Sequence, residues 1–145
     1  MRAEGTLRTI WLVALCGVAA YAIAMTARAY DALPQVIQLH LGTIVPADSG
    51  PKQSLLVIPI FTIVICVAAY LQYLKRAASH AKVFQQLSLA FALSSSVLLV
   101  TGEKAVIVAN TATPQSHAYF NAMLALLALT LALAAAAGAT AKIAA

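Results

Sequence analysis

Charge is what this sequence has least of. Across 145 residues there are nine lysines and arginines and four aspartates and glutamates, so 9% of the chain is charged where a soluble domain carries about a quarter. That scarcity excludes an ordinary water-facing surface, because a soluble fold of this composition would leave large apolar patches in water. Nucleic-acid binding is excluded as well: the net charge of +5 comes from basic residues scattered at the ends of apolar runs, not gathered into a patch. Cysteine is nearly as scarce. Cys16 and Cys66 fall inside apolar runs without metal-ligand spacing and read as small buried hydrophobes. Paired carboxylates, a nucleophile beside a base, and a phosphate-binding loop are all missing, so the chain is read as not an enzyme.

What the chain does have is long runs with no charge at all. An ionised side chain at the centre of a bilayer costs roughly 2.5–3.5 kcal/mol, so such runs are the signature of membrane helices. A bilayer core of about 30 Å takes roughly 20 helical residues. Segments 7–29, 54–74, 83–101 and 119–141 have that length. All four must be helical, because irregular backbone facing lipid leaves polar groups unsatisfied. The expected fold is therefore an all-α integral membrane protein, a single domain of four transmembrane helices. A folded extracytoplasmic loop joins the first two. No charged residue is expected deep in any span, since Glu103 and Lys104 fall just beyond the third.

Orientation follows from lysine and arginine. Arg2, Arg8, Lys75, Arg76, Lys82 and Lys142 lie on one side, against Arg28, Lys52 and Lys104 on the other. Both termini are thus expected in the cytoplasm and segment 30–52 outside. The first span reads as a retained anchor; in "VALC" at 13–16, Leu15 is large where a lipoprotein box wants a small residue.

Close helix packing in lipid uses small residues. Ala20 with Ala24, Ser88 with Ala92 and Ser96, and Ala128 with Ala132 and Ala136 have that spacing, which fits a compact bundle or a face that docks against a partner. Gln85, Gln86 and Ser94–Ser96 give the third span a modestly polar face, expected to hydrogen-bond between helices. Pro59 is expected to kink the second span or to mark its first turns. Haem held by two histidines needs them on facing helices at matching depth. His40, His80 and His117 lie in loops or at span ends, so neither haem nor another cofactor is expected, and no metal site.

Polar chemistry concentrates in "YDALPQVIQLHLGTIVPADSGPK", residues 30–52. From Pro34 a short helix would align Leu33, Val36, Ile37, Leu41 and Ile44 in one stripe. Alternatively, Ile37, Leu39 and Leu41 alternate with Gln38 and His40 as in a strand. In both cases the apolar residues fold the segment back onto the bundle, and "PADSGPK" supplies turn chemistry before the next span. A plain linker would be shorter and less apolar. The segment is a cap.

The cap also carries a resemblance. Leu33, Pro34, Ile37, His40, Asp48 and Lys52, followed by Pro59 early in the next helix, are similar to the motif of the DUF1648 domain. That domain occurs in bacterial membrane proteins related to the immunity and signalling protein SdpI. The likeness covers residues 26–65, with Gln38 and Val45 standing where the family has proline and glycine. It implies a multi-pass protein of the bacterial inner membrane that recognises a peptide or a protein partner through its outer loop. Asp31, Pro34, His40, Asp48 and Lys52 are the candidate residues, either binding the partner or structuring the cap. The alternative function is an accessory subunit of a larger respiratory or photosynthetic membrane complex, packing against neighbouring subunits, lipids or pigments. In either case the expected partners are membrane lipids and a protein in the membrane, and not nucleic acid.

Overall fold

The computed structural model describes residues 2–38, 49–76, 82–111 and 116–143. Within them lie four helices: α1 (Arg2–Tyr30), α2 (Val57–Arg76), α3 (Lys82–Asn110) and α4 (Ser116–Ile143). Thr6–Tyr30, Lys52–Lys75 and Val83–Asn110 are long and apolar enough to cross a membrane, while Asn121–Ala137 in α4 is a shorter apolar stretch. Between α1 and α2 the chain forms two short strands, β1 (Val36–Gln38) and β2 (Ser49–Pro51), and then a 3-10 turn over Lys52–Leu56. The strands pair antiparallel, with Ile37 opposite Gly50. Of the two conformations open to the loop, the extended one is therefore found at Val36–Gln38; Leu39, His40 and Leu41 lie outside the described residues.

Pairs of contacting residues give the helix directions. Trp11 bonds Gln86 and Thr26 bonds Glu103, so α1 and α3 run parallel. Arg8 meets Tyr70 of α2, and Ser94 meets Thr130 of α4 in the reverse sense to Lys104 over Tyr119. α2 and α4 are therefore antiparallel to α3. α3 is the central helix, packing against α1, α2, α4 and β1, whereas α4 rests chiefly on α3. Near one end Leu15, Cys66 and Leu89 form a core with Trp11, Tyr70 and Tyr73 around it. At the other end Leu33, Ile37 and Leu55 of the loop region form a second core with Val106 and Ile107 of α3.

Two of the three small-residue rows do not form seams between the described helices. Ala128, Ala132 and Ala136 are exposed, and α4 meets α3 through Met123, Leu126, Thr130, Leu133 and Ala137. Those positions recur at steps of three and four, the heptad seam of antiparallel helices. Ala20 and Ala24 are likewise exposed, and α1 turns Trp11, Leu15, Val18, Ala22, Met25 and Ala29 inward. Ser88, Ala92 and Ser96 do face inward, with Ser96 fully buried against Cys66 Sγ at 3.4 Å. Pro59 is the third residue of α2 and marks its first turn, where a missing backbone donor costs least.

Candidate functional site

The cap is fixed to the helix ends by burial and by polar ties. Ile37 is fully buried although its neighbours Val36 and Gln38 are exposed, the alternation of a strand with one covered face. Gln38 N–H donates to Asn110 Oδ1 at 2.9 Å, and Asn110 Nδ2 donates to Gln38 O at 2.9 Å. Lys52 closes the hairpin through its backbone N–H to Gln35 O at 3.0 Å. Its ammonium stands 3.5 Å from Tyr30 O and 4.6 Å from the centre of the Tyr30 ring. A cation at that carbonyl completes the C-terminus of α1, where unpaired carbonyls and the helix dipole favour positive charge.

Among the candidate residues, Lys52 is thus half-buried and joined to α1. Asp31 and Pro34 are exposed on the turn that follows α1. His40 and Asp48 lie outside the described residues. Among the described residues there is no group of three histidine, cysteine or acidic side chains able to hold a metal ion.

The third helix runs further than the sequence suggested. α3 does not stop near Thr101 but continues to Asn110, carrying Glu103 inside the bundle, where it is fully buried. The Thr26 hydroxyl and Glu103 Oε1 form a hydrogen bond from α1 to α3. Glu103 Oε2 has no partner. Val106 and Ile107 follow at three and four residues, on the same face of α3, and belong to the core closed by Leu33, Ile37 and Leu55. The carboxyl therefore sits one turn beneath the cap. "TGEK" reads as a turn because it combines glycine with two charges; the signal for continuing helix was the apolar "AVIV" immediately after it.

Beside this site, α1 and α4 leave a groove of about 450 Å³ floored by Val97, Val100 and Thr101 of α3. Lys104 lies in it with its ammonium 5.3 Å from the centre of the Tyr119 ring, a cation–π distance. A second groove of about 440 Å³ lies between α2 and α4, lined by residues such as Gln72, Phe84, Phe91 and Ala134.

These features define a class, a helical protein with candidate membrane spans and a buried carboxyl under a hairpin cap. No protein-family model, curated protein or solved structure matches the chain.

Proposed function

We propose that this chain is a small non-catalytic membrane protein that recognises a peptide or protein partner through its cap. All four helices span the bilayer of a bacterial inner membrane, with both termini cytoplasmic and the cap outside. The observation that carries this function is the cap's construction. Leu33, Ile37 and Leu55 are buried beneath it, while Asp31, Pro34 and Val36 are turned outward, Val36 at 63% exposure. A surface held in place before binding loses less entropy when a partner docks. The resemblance to DUF1648 proteins supports the same function.

A photo-crosslinking residue at Val36, in native membranes, is expected to capture a protein. Crosslinks to protein from Leu129 on α4 alone, with none from Val36, would overturn the proposal. That result belongs to the second function, an accessory subunit of a larger membrane complex. It is favoured by α4, which rests on α3 along one seam and leaves Leu124, Leu127 and Leu131 exposed.

A further inference from the structure

Glu103 is fully buried with one carboxyl oxygen unpartnered, and the bonds around it bear on where its proton sits. Thr26 has one hydroxyl hydrogen, yet its oxygen meets two groups: Ala22 O at 3.0 Å and Glu103 Oε1. The Ala22 carbonyl can only accept, whereas Glu103 Oε1 accepts as a carboxylate and donates as an acid. Four other described threonines bond a backbone carbonyl in the same way. Thr62, Thr101, Thr111 and Thr130 each bond the carbonyl four residues back, at 2.7–3.0 Å. Thr130 offers a close parallel. It donates to Leu126 O and therefore accepts from Ser94, whose Oγ lies 2.7 Å away. With Thr26 donating to Ala22 O as those threonines donate, the hydrogen shared with Glu103 is the carboxyl's own.

This assignment also explains the unpartnered oxygen. In the neutral acid, Oε2 is a carbonyl oxygen, and burying it bare costs far less than burying half of a carboxylate. No described cation is turned toward it. Arg28 of α1 is exposed and lines a separate cavity with Tyr21 and Ala24. Lys52 of the cap is engaged with Tyr30, and Lys104 of α3 with Tyr119 of α4. α2 contributes Ile58 and Thr62 at this end, neither of them titratable.

We propose that Glu103 is a proton-binding site, a carboxylic acid that keeps its proton at neutral pH and donates it to Thr26. A metal cation fits less well, because hard cations gather about six oxygens. Among the described residues this site offers the two carboxyl oxygens and Thr26 Oγ1. The proposal is independent of what the cap recognises.

Infrared spectra of the full chain in lipid vesicles test it. At pH 7 the wild type is expected to show a carboxylic-acid carbonyl band that Glu103→Gln lacks, with carboxylate bands unchanged. A carboxylate band lost in that variant, with no acid band, would overturn the proposal. Should Glu103→Gln not fold, Glu4→Gln carrying carbon-13 glutamate isolates Glu103 without touching the site, since Glu4 is the chain's other glutamate. Thr26→Val removes the acceptor, so the acid band is expected to move to higher frequency; an unmoved band means that Glu103 does not donate to Thr26.

Discussion

Asn110 at the end of α3 binds Gln38 of β1 as a neighbouring strand would. Its side-chain amide accepts from the Gln38 N–H and donates to the Gln38 carbonyl, both at 2.9 Å. Asn110 Nδ2 also reaches Val106 O at 2.8 Å, so the amide is oriented by its own helix. One side chain thus joins the loop between α1 and α2 to the helix that carries Glu103.

Asn110→Ala removes both bonds to Gln38. At about 0.5–1.5 kcal/mol for each net hydrogen bond, the expected loss is about 1–2 kcal/mol, because the site is partly exposed. The check is thermal unfolding in detergent. Asn110→Asp keeps the acceptor but loses the donor, and is expected to fall between wild type and alanine.

The two faces of β1 predict opposite responses. Ile37 is fully buried, so Ile37→Ala is expected to lose about 2–5 kcal/mol through lost burial and a new cavity. Val36 is 63% exposed, so Val36→Ala is expected to stay within about 0.5 kcal/mol of wild type. Equal losses at the two positions would contradict the strand register.

Ser94 and Thr130 tie α3 to α4 at 2.7 Å. Hydrogen bonds between membrane helices average about 0.6 kcal/mol, with a maximum near 1.7. A double-mutant cycle of Ser94→Ala and Thr130→Val is expected to give a coupling energy in that range. Zero coupling would mean that the seam of α4 is not the one described.

Trp11 Nε1 donates to Gln86 Oε1 at 2.6 Å, joining α1 to α3 at the end away from the cap. It is the chain's single tryptophan, so its fluorescence reports this contact alone. Gln86→Leu replaces a polar partner with an apolar one, and the emission is expected to shift to the blue. Glu103→Gln, at the opposite end, is expected to leave it unchanged.

Four helices and their approximate extents were legible in the runs without charge, as was the use of Gln86, Ser94 and Ser96 for bonds between helices. The faces were not. In an alanine-rich helix that is apolar all round, Ala128–Ala132–Ala136 and Met123–Thr130–Ala137 are equally plausible seams. The candidate site was legible in part: Ile37 and Lys52 could be marked from the loop, but Glu103 was hidden behind "TGEK", which has the composition of a turn.

The sequence by itself determined that the chain is apolar, and its uncharged runs have the length of candidate membrane helices. It also determined that the loop after α1 has apolar residues to bury. Only the tertiary structure decided that α3 runs on to Asn110 and takes Glu103 out of contact with water. Local composition sets the preference of each residue. Whether a carboxyl stays inside is decided by Thr26 on one helix and by the apolar cap above it, neighbours that the order of residues does not bring together until the chain has packed.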